Sequence, residues 1–244
     1  MTGPGLIDPD LAADLIDAAG SAAFSARLLA LAHSLAGIDE VFAYQIAASG
    51  GPKALASSSG LENVSNRASL YAKRFHHSDP ANVARLQTAP GTGFVRRVPI
   101  EEIVLADYRR ICFERPHFSE KLCYGWRGAS QSLVLSFYSR KAIPEGVPTL
   151  DALAQIALTG LARTTRSRDA VALASEFERR LASAYPALTA RECEVTSRTM
   201  AGWTARLIAS DLGISHGTVL TYRQRTYQKL GVSKASDLLL AVVH

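Results

Sequence analysis

Two stretches of this 244-residue chain hold side chains whose types and spacing can do chemistry. The first is GISHGTVLTYRQRTYQKLGV, residues 213–232. Read as a helix, it places Val219, Tyr222, Thr226 and Leu230 on one side. The other side shows Gly217, Leu220, Thr221, Gln224, Arg225 and Gln228, and no acid occurs between Ser215 and Ser236. A solvated face more often mixes both signs of charge. An acid-free face of Thr, Gln and Arg suits the DNA major groove, offering partners to base edges without repelling phosphates. Leu220 has no polar atom to offer, but it can touch a thymine methyl.

The second stretch is LYAKRFHHSDPANV, residues 70–83. His76, His77 and Asp79 resemble a partial metal-ligand set, but no second cluster elsewhere completes it, so a solvated helix end is expected. Cys112, Cys123 and Cys193 are too few and too scattered for a disulfide framework or a metal knot. They read as buried free thiols of a reducing compartment. No nucleophile elbow, Cys/His pairing or carboxylate pair stands out. The expectation is a protein with no catalytic residues, no metal and no cofactor.

Composition agrees with a globular binding protein. The chain is 48% hydrophobic and 20% charged, with net charge +5 and pI near 9.2. That is mildly basic, which permits a polyanion partner without demanding one. After residue 187, Arg191, Arg198, Arg206, Arg223, Arg225, Lys229 and Lys234 outnumber Glu192, Glu194, Asp211 and Asp237, so most of the net charge sits in the last quarter. The acidic start lacks a signal peptide's basic region, and no apolar run is long enough to span a bilayer. A cytoplasmic protein with no membrane partner is expected.

The positioning elements follow from periodicity and from Gly and Pro. A helix is expected from Asp8-Pro9-Asp10 through Leu35, closed by Gly37. Strands follow at 38–49 and 52–60, then a helix at 66–77 that stops near Asp79-Pro80. A strand at 93–100, a helix at 101–114, a strand pair at 121–128 and 131–140, and a helix at 149–161 complete this part. The order does not alternate regularly, so a mostly antiparallel sheet between helices is expected, an α/β/α sandwich within an α+β chain. Such a sheet can hold a small ligand against its covering helices. The charged run at 163–180 reads as a solvated linker helix, and Pro186 breaks the chain. The expected division is 1–165, a sensing or dimerisation domain; 166–187, a linker; and 188–244, an all-α DNA-binding domain.

In that last part Thr189 and Glu192 form a capping box, with Val195 and Met200 as core candidates. Thr204 caps a short second helix whose apolar face is Leu207, Ile208 and Leu212. Leu212-Gly213-Ile214 turns the chain and Ser215 caps the third helix, the arrangement of a helix-turn-helix. These residues resemble the C-terminal domain of the LuxR family of bacterial transcription regulators. The pattern comprises Leu188-Thr189, Arg191-Glu192, Gly202, Thr204, Ile208-Ala209, Leu212, Ile214-Ser215, Thr218-Val219 and Lys229 to Val232.

The resemblance implies a four-helix domain whose third helix enters the major groove and whose fourth, SKASDLLLAVV, pairs with a second copy. It departs at Leu207, Leu220 and Tyr222, where the family usually has Glu, Lys and His. By position, Leu220, Thr221 and Gln224 are expected at base edges, and Ser215, Thr218, Arg223, Arg225 and Lys229 at phosphates. The implied partners are double-stranded DNA with two-fold symmetry, a second copy of the chain, and RNA polymerase.

Input domains of this family vary. The opening helix does not suit a receiver, and no phosphate-binding Gly-rich loop is present. The α/β order and length are similar to autoinducer-binding domains for acyl-homoserine lactones, quorum-sensing signals, or to GAF- and PAS-like pockets. By the first resemblance Asp79 would hold the ligand's amide N–H and Tyr71 a carbonyl, with Phe94 nearby. Tyr44 and Trp126 would line the pocket with them, and Phe137 would join the same cavity. The family's tryptophan before Tyr71 is absent; Arg67 and Ala68 stand there. The other reading is a ligand-independent regulator whose N-terminal domain only oligomerises or binds a protein.

Overall fold

The computed structural model describes residues 6–47 and 50–232. The chain forms two compact units, 1–164 and 165–244. It is mixed α+β, and among the described residues all the strands lie in the first unit.

In the first unit α1 (Pro9–Ala18) and α2 (Ala22–Ala36) precede the hairpin of β1 (Glu40–Ala47) and β2 (Pro52–Ser59). The one helix expected through Leu35 is therefore two. Gly20 adopts φ 86°, outside the helical basin, and separates them. Gly37, at φ 65°, closes α2 as expected. α3 (Val64–Leu70) continues through a π turn at Tyr71–Phe75 and a 3-10 turn at His76–Ser78.

The preceding helical run ends at Asp79 as expected, and Asp79 also starts the next element. Its Oδ1 accepts from the Ala81 N–H at 2.9 Å, and Pro80 occupies the first position of α4 (Pro80–Gln87). An Asp-Pro pair suits a helix start, because proline's missing N–H is unneeded there. β3 (Thr92–Pro99) follows. The helix expected at 101–114 is a 3-10 turn at Ile100–Glu102, α5 (Ala106–Arg109) and a π turn at Arg110–Glu114. β4 (Glu120–Arg127) and β5 (Gln131–Ser139) lead to α6 (Pro148–Ala184), which unites the helices expected at 149–161 and 163–180.

The five strands are ordered β2-β1-β5-β4-β3, and every ladder is antiparallel. Both faces are covered. On one, Val41, Ala43, Leu135 and Phe137 pack with Leu15, Phe24, Leu28, Leu150 and Leu153 of α1, α2 and α6. On the other, Phe42, Tyr44, Cys123 and Tyr138 pack with Ala68, Tyr71, Phe75, Tyr108 and Phe113. This three-layer α/β/α arrangement explains why β4 and β5 are buried almost end to end.

Gly125 in β4 lies under the Phe94 ring of β3, where a Cβ would fall among the ring atoms. Gly125→Ala must therefore push Phe94 off the sheet. The expected cost is about 1–3 kcal/mol, read by thermal unfolding, with Phe94→Ala in the same chain relieving most of it. No destabilisation in the single variant would mean that Phe94 already moves freely.

In the second unit α7 (Ala190–Met200), α8 (Ala205–Leu212) and α9 (His216–Leu230) pack on the end of α6. Val195, Ile208 and Val219 form one small core, each with no solvent exposure. Phe177, Leu181, Leu188, Cys193 and Met200 form another. The fourth helix expected at 233–243 lies outside the described residues. Among the described residues no helix is long and apolar enough to cross a membrane.

Candidate nucleic-acid interface and buried polar centre

Local rules place α9. The Thr189 capping box is present, with Thr189 N–H donating to Glu192 Oε2 at 2.7 Å and Glu192 N–H to Thr189 Oγ1 at 3.3 Å. Thr204 accepts from Leu207 N–H at 3.2 Å. Gly213 turns the chain at φ 64°, and Ser215 Oγ accepts from Thr218 N–H at 3.0 Å. These contacts fix the start of α9 against α8.

Val219 and Thr226 of α9 are fully buried, and Tyr222 and Leu230 are half-buried, so the inner side is the expected one. Thr226 Oγ1 and Thr196 Oγ1 share a buried hydrogen bond of 3.1 Å. The outer side presents His216, Leu220, Thr221, Gln224, Arg225 and Gln228, all exposed. Ser215 is exposed and Thr218 half-buried beside it. Leu207 corrects an expectation: it is 51% exposed rather than part of the core of α8, because Ile208 takes the inward position. Leu207 and Leu220 are thus both free apolar side chains.

Two residues expected at phosphates already have partners inside the unit. Arg223 donates to Thr199 Oγ1 at 2.8 Å and to the Trp203 carbonyl at 3.3 Å. Lys229 donates to Glu192 Oε2 at 2.8 Å and to the Ala187 carbonyl at 2.9 Å. Burial raises the Glu192 pKa, but Lys229 and the Thr189 cap outweigh it, and the carboxyl titrates below its ordinary value. Arg225 is the expected phosphate cation that stays on the outer face. Two residues there were missed by the sequence reasoning. His216 stands one helical turn before Leu220, a spacing that gave the signal, and Arg206 is exposed in the first turn of α8.

The first unit holds a second constellation. Asp79 is fully buried. Its Oδ2 accepts from Tyr71 Oη at 2.5 Å, from Tyr108 Oη at 3.1 Å and from Lys121 Nζ, which forms a buried ion pair. Lys121 also donates to Tyr108 Oη at 2.9 Å. Its ammonium lies 5.2 Å from the Tyr71 ring centre and 5.7 Å from those of Tyr108 and Tyr138. Burial alone would lower the Lys121 pKa, but the Asp79 charge and hydrogen bond win and raise it, so the ammonium stays charged. A further buried pair, Arg67–Glu40, sits on the same side.

Of the residues expected at a ligand, Tyr44, Tyr71 and Asp79 are brought together, with Tyr44 and Tyr71 ring centres 4.9 Å apart. Phe94 packs half-buried at the margin of the same cluster. Trp126 does not join them. Strand alternation turns it to the opposite face, with Leu122 and Tyr124, and it is 47% exposed. Phe137 also faces the other layer. Lys121, Tyr108 and Tyr138 were missed; Lys121 shares the parity of Cys123 in β4, a signal the strand KLCYGWRG did carry. The His76 and His77 ring centres lie 3.6 Å apart with the planes tilted by 44°, and no group of three metal-type ligands occurs among the described residues.

Residues 186–242 match the family model for bacterial regulatory proteins of the luxR family. The second unit therefore carries a LuxR-type helix-turn-helix domain. The chain is 43% identical over 74 residues to the probable transcriptional regulatory protein NarL of Mycobacterium tuberculosis. That match covers 28% of this chain and 34% of NarL, so the chain spans about a third of the length of the curated relatives it matches. Among solved structures, the VqsR LBD domain from Pseudomonas aeruginosa is 17% identical, with 64% of this chain and 95% of that chain covered and a TM-score of 0.48. SdiA of Escherichia coli is 16% identical, with 84% and 83% covered and a TM-score of 0.38.

Proposed function

We propose that this chain, which ends in a LuxR-type helix-turn-helix domain, is a cytoplasmic, homodimeric transcription regulator. It binds a two-fold operator in double-stranded DNA, and a small molecule held in the N-terminal unit shifts the population able to bind. RNA polymerase is the downstream partner in this reading. The observation that carries the DNA role is the acid-free outer face of α9, seated by a capped turn on a fully buried core.

Leu220, Thr221 and Gln224 read bases, while Ser215, Thr218, Arg225 and Arg206 meet the backbone. Arg223 and Lys229 hold the domain together, and each keeps N–H donors beyond those its internal partners use, with which it reaches phosphates. Gln224→Ala should lose about 1–3 kcal/mol of discrimination between operator and unrelated DNA. Arg225→Ala should weaken binding to both and lower the salt slope by about one. Fluorescence anisotropy across a salt series measures both. Unchanged discrimination in Gln224→Ala would remove the base-reading role.

A ligand-independent regulator is the second reading, and one observation favours it: Asp79 Oδ2 is already saturated by the chain's own donors, Tyr71, Tyr108 and Lys121. An acyl-homoserine lactone would have to displace Lys121 or a tyrosine to reach that oxygen. Native mass spectrometry of the full chain purified from its own cells separates the readings. A released stoichiometric small molecule supports ligand control, and an empty dimer with full operator affinity supports the second.

A further inference from the structure

The buried centre holds more donors than it uses. The hydroxyls of Tyr44 and Tyr138 are buried with no hydrogen-bond partner among the described residues. Burial pushes both phenols well above their ordinary range, so each is a neutral O–H donor. Both belong to the aromatic cluster around Lys121, and Tyr138 is its cross-strand neighbour. Buried polar groups are nearly always paired, so two orphans in one cluster ask for an acceptor.

The acceptors present are spent. A carboxylate offers about four lone-pair positions. Ala81 N–H takes Oδ1, while Tyr71, Tyr108 and Lys121 crowd Oδ2. No place remains on Oδ2, the oxygen that the aromatic cluster surrounds, for an incoming N–H. The charges also balance, since Lys121 cancels Asp79 in a fully buried setting, and an ionised ligand would add an unpaired charge. We propose that this centre selects a neutral small molecule that presents a hydrogen-bond acceptor, such as a ketone, ester or lactone carbonyl, to Tyr44 and Tyr138. It excludes ligands that must donate an amide N–H to Asp79, because Lys121 fills that role from within the chain. This rests on the ligand-controlled reading above and names its ligand class.

The test uses the full chain and three probes of similar size, read by calorimetry and thermal shift. γ-Dodecalactone is neutral and accepts only, N-octanoyl homoserine lactone adds an amide N–H, and dodecanoate is an anion. The lactone without nitrogen should bind at least about 10-fold tighter than either of the others. Tyr44→Phe and Tyr138→Phe keep the ring and delete the orphan hydroxyl. Each should raise the melting temperature of the unliganded protein by about 2–4 °C and weaken γ-dodecalactone at least about 5-fold.

Lys121→Met should reverse the preference towards the amide probe. If that variant fails to fold, the two tyrosine variants still decide, since they change no charge and no shape. Equal or tighter binding of the amide or the anion overturns the proposal. So does undetectable γ-dodecalactone binding, or unchanged affinity in both tyrosine variants. If a molecule is released from the cell-purified chain while γ-dodecalactone fails, the ligand class is wrong and ligand control stands. If nothing is released and no probe alters operator binding, ligand control fails with it.

Discussion

Asp79→Ala is expected to destabilise the N-terminal unit by about 3–5 kcal/mol, the largest single effect in that unit. The substitution leaves the Lys121 ammonium charged and unpaired with no solvent exposure, and breaking a buried pair from one side costs about that much. It also strips an acceptor from Tyr71 and Tyr108 and removes the cap of α4. Total stabilities run at about 5–15 kcal/mol, so the variant should sit near the edge of folding at 37 °C. Denaturant unfolding of the N-terminal unit measures it. The companion variant Asp79→Leu with Lys121→Met should regain most or all of the loss, because well-packed apolar residues often replace a buried pair without penalty. A loss below about 1 kcal/mol in the single variant would mean that water reaches the pair. If the double variant is as stable as the natural chain, folding alone does not explain the charges, and a role in recognition does.

Ile208→Ala should abolish operator binding while leaving the N-terminal unit intact. Ile208, Val195 and Val219 are the fully buried members of a small core that holds α7, α8 and α9 in register. Removing three carbons there costs about 2–5 kcal/mol. A domain of this size has only about 3–9 kcal/mol to lose, and three helices lean on this one contact. Operator affinity should fall at least 30-fold. Melting curves should show the C-terminal transition moved down and the N-terminal one unmoved. Full operator affinity with a lowered C-terminal transition would show that DNA itself can order the domain.

The helix-turn-helix was legible because its signals are local. Thr189, Thr204, Gly213 and Ser215 each act within four residues, and each does what its type suggests. The sheet was legible for the same reason, since turns and β-branched or aromatic runs mark strands. What failed were decisions made by tertiary contact. Asp79-Pro80 ends the preceding helical run as expected, but the start of α4 on the same pair was not read. Gly20 breaks a helix whose apolar period runs straight through it. Lys121 in a strand is by default a solvent residue, yet the helices over β4 bury it, and the partner that makes this tolerable is 42 residues away in sequence. Trp126 was placed by its type. Its parity with Leu122 and Tyr124, visible in the sequence, already put it on the other face.

The chain has two tryptophans, Trp126 in one unit and Trp203 in the other. Each unit thus carries one indole, and their surroundings differ. Trp126 is half open to water, whereas the Trp203 ring is half-buried with the Arg198 guanidinium 5.8 Å from it. Replacing either by phenylalanine would give a single-emitter protein in which fluorescence follows one unit alone. Because Trp126 faces away from the Asp79 centre, its emission should change little when that centre fills, and a silent titration by intrinsic tryptophan fluorescence would not mean an empty site. The tyrosines, excited at shorter wavelength, are the optical witnesses placed around Asp79 itself.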